Sequence, residues 1–199
     1  MSIIDFRNST DLLDDRLLSM CQQAASGWRI GNVTLRVRYS RGADFSGTCI
    51  YSDRRVFVNL GRHLVYPYQM GTHVARAKSA RGCWSKPVYS VELASGYQVV
   101  LFVFLHEIYH LLVKRAGRNV RQKESMCDRF AARVLVDYYG ANVRTEKGDL
   151  AQRESWDFQD VERFVAAARD RRTKPKAALR PTTQEPRREK DEQLLLFPL

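Results

Sequence analysis

The stretch "LFVFLHEIYHLLVK", residues 101–114, is among the most apolar in the chain, yet it carries His106, Glu107 and His110. From Tyr97 to about Arg115 the residues are apolar nearly all round, the pattern of a central buried helix. Polar side chains buried there without partners are costly. The first question of the fold is therefore what satisfies two imidazoles and a carboxyl inside such a helix.

Histidines four apart lie about 40° apart on one helical face, one turn above the other. Two imidazoles so placed can grip one Zn²⁺. Glu107, displaced around the helix, can reach a water on that ion without becoming a ligand. The spacing is H-E-x-x-H, a metalloprotease signature. The plainer alternative is a chance match on a partly exposed helix, and the apolar setting argues against it.

Catalytic zinc usually takes three protein ligands and keeps one position open. His63 and His73 lie upstream, and no histidine follows His110 in the chain. The next candidates are acidic. Glu124 and Asp128, also four apart, share one face of a returning helix at about 121–139, after the break at "AGRN" with Gly117 as its cap. Glu124 then supplies the third ligand while Asp128 accepts the other ring N–H of a histidine. The sequence leaves open an exchange of these two roles, and also a bland reading as exposed acids paired with Arg121 or Lys123.

"HEIYH" followed by "ESMCDRFA" resembles the gluzincin pattern, in which a downstream glutamate completes the metal site and an acid four residues later supports a histidine. Glu124, Cys127, Asp128, Phe130 and Ala131 match the form typical of ImmA/IrrE-like small zinc peptidases, with Cys127 in place of the usual alanine. The strands before the metal helix resemble the SprT-like layout. Over roughly residues 30–140, the resemblance implies a zincin-like peptidase with one Zn²⁺, held by His106, His110 and Glu124, and Glu107 as general base. An oxyanion stabiliser is also needed, for which Tyr138, Tyr139, His63 and His73 are candidates. "PVYSVEL" (87–93) is the segment nominated to pair with an extended substrate.

Outward from this helix the chain reads as one α+β domain over residues 1–172, with a disordered tail over 173–199. A first helix follows Ser9 or Thr10 as N-cap. "VTLRVRY" (33–39), a hairpin within "GTCIYSDRRVFVNL" and "PVYSVEL" give a three- to four-stranded, mostly antiparallel sheet. A last helix is expected to start at Ser155. Residues 61–86 resist assignment. The four cysteines form no C-x-x-C pair, which argues against a disulfide framework or zinc ribbon. "MSIIDFRNST" lacks the pattern of a secretory signal, and Val99–Val113 is too short to span a bilayer, so a bacterial cytosolic or nucleoid setting is expected.

The 33 Lys+Arg outnumber 22 Asp+Glu, a formal charge of +11 that favours polyanionic partners. Arg76, Lys78, Arg81 and Trp84 are the candidate nucleic-acid contacts, Trp84 by stacking on a base. A solvated basic surface is the bland alternative. The tail ends in "EKDEQLLLFPL", an apolar cluster with no folding reason to follow a polar segment. It resembles the QLxLF peptide by which bacterial proteins bind the replication sliding clamp, which implies Gln193 at the pocket edge with Leu194, Leu196 and Phe197 as anchors. A segment docking back on its own domain is the alternative. Two functions remain: a zinc endopeptidase near replicating DNA, or a non-catalytic regulator or adaptor that keeps the fold.

Overall fold

The computed structural model describes residues 2–28, 31–80, 82–121 and 123–173. Arg81 and the tail from residue 174, with its clamp-like end, lie outside the described residues. The chain runs β1 (Ser2–Ser9), α1 (Asp14–Ala24), β2 (Asn32–Tyr39), β3 (Phe45–Ile50), β4 (Arg55–Leu60), β5 (Tyr68–Thr72), β6 (Lys78–Ala80), β7 (Cys83–Ser85) and β8 (Tyr89–Leu93). Then follow α2 (Gly96–Arg115), α3 (Glu124–Tyr139), β9 (Asn142–Arg144) and α4 (Val161–Thr173). It is a mixed α+β fold.

α2 is the central element. Val99 to Leu105, Ile108 to Val113 and Ala116 are all buried. Its 20 residues are long and apolar enough to cross a membrane, more than the sequence run suggested, but 83% of the apolar window is buried within the protein itself. Gly117, at φ 74°, ends the helix in the left-handed conformation that glycine adopts without cost.

The main sheet has the order β1-β2-β4-β3. Alternation decides its faces: Val33, Leu35, Val37, Val56, Val58 and Leu60 are buried toward α2, while Arg36, Arg38, Phe57 and Asn59 face outward. Its pairing differs from the expected antiparallel one. β1 and β4 both run parallel to β2, and only β3 and β4 form an antiparallel hairpin. The parallel β1 comes before the first helix, and a strand whose partner lies across an intervening helix leaves no turn signal.

Three further corrections concern ends and edges. α1 begins at Asp14 with Leu13 at its N-cap, so neither Ser9 nor Thr10 caps it. α4 begins at Val161, where the Asp160 carboxylate accepts the Arg163 N–H at 2.8 Å, while Ser155 closes a short 3-10 turn. β8, nominated as a free edge, is the middle strand of β5-β8-β9, because β9 covers its second side. Among the described residues β3, which packs on α2, keeps a free edge, as does β5.

Candidate metal centre

α2 and α3 lie side by side, and their facing surfaces bring the predicted residues together. The Nε2 atoms of His106 and His110 stand 3.1 Å apart. The Glu124 carboxylate faces both, with Oε2 at 3.1 Å from His106 Nε2 and Oε1 at 3.3 Å from His110 Nε2. Two donors at zinc–ligand distance from one tetrahedral ion stand about 3.3 Å apart, so these three groups fit a shared ion with little movement. Asp128 occupies the other side of the ring: its Oδ1 meets His106 Nδ1 at 2.8 Å, and its Oδ2 accepts the His73 backbone N–H at 2.6 Å. That position fixes the ring orientation and leaves Nε2 for an ion. His110 Nδ1 is buried with no hydrogen-bond partner among the described residues, so Nε2 is the only nitrogen of that ring meeting a polar group.

The charges follow from this arrangement. Hydrogen bonding to His106 keeps the Glu124 carboxyl below its usual range. Burial acts against the charged form of His106, but bonds to Asp128 and Glu124 outweigh it and raise the imidazole to about 9. Burial, then the neighbouring His106, lowers the His110 imidazole below its usual value. Glu107 is pushed up to about 7 by burial; His106 opposes the rise and Glu124 adds to it.

Glu107 lies against β3. A Cβ on Gly47 would stand 2.9 Å from Glu107 Cγ and 2.7 Å from Val103 Cγ1, and would also strike Glu107 Oε1. Only glycine lets the strand pass so close. Beside it opens a cleft of about 110 Å³, bounded by Phe45, Gly47, Met70, Gly71, Phe102 and Val103, with His106, Glu107 and Asp128 on its polar side.

Sequence reasoning missed two residues here. Cys127, one turn beyond Glu124, forms with His106 and His110 a group able to hold a metal ion, one ligand atom from each lying within 4.8 Å of the others. Its thiol is driven far upward by burial and by the charges of Glu124, Asp128 and Glu107, which disfavours the thiolate without a metal. Tyr51, in the turn after β3, is raised to about 12 by burial, then by Cys49, Glu107, Cys127 and Glu124. The H-x-x-x-H and E-x-x-C spacing could have flagged Cys127; nothing local marks Tyr51.

Of the nominated oxyanion groups, Tyr138 and Tyr139 do not reach. Tyr138 lies 14 residues beyond Glu124, about 21 Å along the helix, and is 78% exposed. The Tyr139 hydroxyl donates to the Met20 carbonyl at 3.3 Å, against α1. The His63 side chain is exposed in the loop after β4, and His73 presents its backbone N–H to Asp128. Trp84, 70% exposed, and Lys78 lie on the β6–β7 hairpin, while Arg76 stacks its guanidinium 5.2 Å from the Phe158 ring. The chain matches no known family model, no curated protein and no solved structure.

Proposed function

We propose that this chain is a zinc-dependent endopeptidase of the zincin type. The observation that carries the reading is the convergence of His106 Nε2, His110 Nε2 and the Glu124 carboxylate, with Glu107 one step away on the cleft side. Zinc bound there supplies Lewis acidity toward a water and a substrate carbonyl. Glu107, whose carboxyl sits at about 7, is matched to accepting the water's proton and passing it to the leaving amine. Asp128 holds His106 in the tautomer that presents Nε2. The free edge of β3, alongside Glu107, replaces β8 as the strand on which an extended substrate pairs.

The partners belong to the same proposal. Gln193, Leu194, Leu196 and Phe197 would carry the enzyme to a bacterial replication clamp, and its substrates would be proteins on nearby DNA. Metal analysis and cleavage of a generic unfolded protein test the enzyme. Glu107→Gln should retain one zinc per chain and lose cleavage; activity within a few-fold of wild type refutes Glu107 as the base.

Cys127 favours a second reading. A fourth ligand would close the site, as in structural zinc, and leave a non-catalytic regulator. Cobalt substitution separates the two. A sulfur charge-transfer band that disappears in Cys127→Ala supports the closed site, and its absence in the wild type supports the open one.

A further inference from the structure

The metal centre lies on the inner side of the main sheet, and the outer side carries a different chemistry. The register places Arg7 opposite Arg36 and Arg36 opposite Phe57, with Arg38 opposite Asn59 and Arg55 opposite Thr34. All these outward positions are half-exposed or exposed. Three recesses adjoin one another, two along this face and one on the loops at its end. The first, about 680 Å³, is bounded by Arg7, Arg36, Arg38, Arg55 and Phe57. It shares Arg38 with a second of about 540 Å³, which shares Ser40 and Arg41 with a third of about 400 Å³ reaching Arg62. The result is one trough bordered by six arginines.

The acids near it are already engaged. Asp5 pairs with Arg36 and stands 4.0 Å from Arg7, and Asp53 lies 3.6 Å from Arg55. Asp14 accepts from Asn8 at 2.8 Å, and Asp44 accepts the Tyr68 hydroxyl at 2.9 Å. Among the described residues no carboxylate pairs with Arg38, Arg41 or Arg62. An aromatic ring lies in the same trough, Phe57, with Arg38 at 5.8 Å. Ser40, Ser46 and Asn59 add neutral polar groups of the kind that contact phosphate oxygens.

We propose that this trough binds single-stranded nucleic acid. Arginines spaced along and across neighbouring strands, about 6.8 and 4.8 Å apart, follow a phosphodiester backbone. The half-exposed Phe57 ring, faced by the Arg38 guanidinium, offers a stacking surface to an unpaired base, which a duplex keeps inside its helix. The site lies on the other face of the sheet from Glu107, so the strand and a peptide can be held together, and the inference does not depend on the metal reading.

Anisotropy of a fluorescent single strand of about 16 nucleotides, titrated with the full chain from about 50 to about 200 mM salt, tests it. Wild type should bind with affinity falling linearly on logarithmic axes. Arg38→Ala with Arg41→Ala should weaken binding at least about tenfold and reduce the slope by about 1.4, two contacts at about 0.7 each. Arg38→Lys with Arg41→Lys should keep the slope, and Lys78→Ala with Trp84→Ala should behave as wild type. No binding by wild type, or a double alanine variant equal to it in affinity and slope, overturns the proposal. So does loss of binding in the hairpin variant alone, tighter binding of a duplex of equal length, or binding of anionic phospholipid vesicles without the strand.

Discussion

Replacing Gly47 with alanine tests the close contact between the sheet and Glu107, the proposed general base. The added Cβ would lie 2.7 Å from Val103 Cγ1 and 2.9 Å from Glu107 Cγ, against buried groups of α2 and with Glu107 Oε1 also in its way. Overpacking of this kind costs about 1–3 kcal/mol. For a chain of this size each kcal/mol lowers the melting temperature by about 2–4 °C, so a fall of about 4–8 °C is expected for a cost near 2 kcal/mol. The least constrained response is rotation of Glu107 away from β3. A displacement of about 1 Å at a reacting group costs on the order of 100-fold in rate. Thermal melts with peptide cleavage, at fixed zinc, give both numbers. The cycle with Glu107→Ala removes the two struck Glu107 atoms and leaves Val103 Cγ1, so Gly47→Ala should cost less stability in that background, though not nothing. If Gly47→Ala melts and cleaves like wild type, or costs as much stability with Glu107 truncated, then Glu107 does not rest against β3.

Asp128→Ala frees His106 Nδ1 and the His73 N–H, and should weaken zinc binding about 10–100-fold in a chelator competition; unchanged affinity removes Asp128 from the site's support. Glu92 is depressed to about 2 by its bond to Arg144, then by Asn142 and Gln69. A carboxyl lowered in the folded state stabilises it above the unfolded value and loses that contribution as pH falls toward the folded one. Glu92→Gln should therefore melt lower near neutrality, with a shallower decline between about pH 4.3 and the folded value near 2; parallel melting curves would refute the linkage. A peptide of residues 188–199 should bind a bacterial sliding clamp at micromolar strength and lose binding when Leu196 and Phe197 become alanine, and survival of binding in that variant rejects the tail reading.

What the sequence disclosed follows the range of the interactions involved. α2 was legible because its burial is written in consecutive residues, and β2 because Val33, Leu35 and Val37 alternate with exposed positions. The β3–β4 hairpin was legible for the same local reason. β1 was not, since its pairing with β2 spans α1, and β9 has too few residues to show a period. His106, Glu107 and His110 share one helix and announce themselves by spacing, as do Glu124 and Asp128 on the next. Gly47 reaches the site only through the approach of β3 to α2, which no window of sequence contains. The error over Tyr138 and Tyr139 was one of length: both lie on the correct helix, but at its far end.

Asp128 and Arg129 show how α3 does more than place Glu124 before the histidines. The two Asp128 oxygens divide between His106 Nδ1 and the His73 N–H, so the same carboxylate aims the histidine and holds the chain just after β5. Arg129 continues the task on that loop. Its Nε donates to the Val74 carbonyl at 2.8 Å, its Nη2 to that of Ala75 at 3.3 Å, and its Nη1 to Gln159, with the Phe158 ring 4.1 Å from the guanidinium. Burial lowers this arginine to about 10 although Asp128 opposes the fall, and a buried cation is tolerated only when its donors are filled. Here they are filled largely by backbone carbonyls of a single loop. The position of β5, whose Met70 and Gly71 border the cleft, is thus tied to the helix that presents Glu124. A shift of α3 would move the carboxylate facing the histidines and the β5 side of the cleft together, so the geometry of the candidate metal site and the width of the cleft are coupled through two adjacent residues.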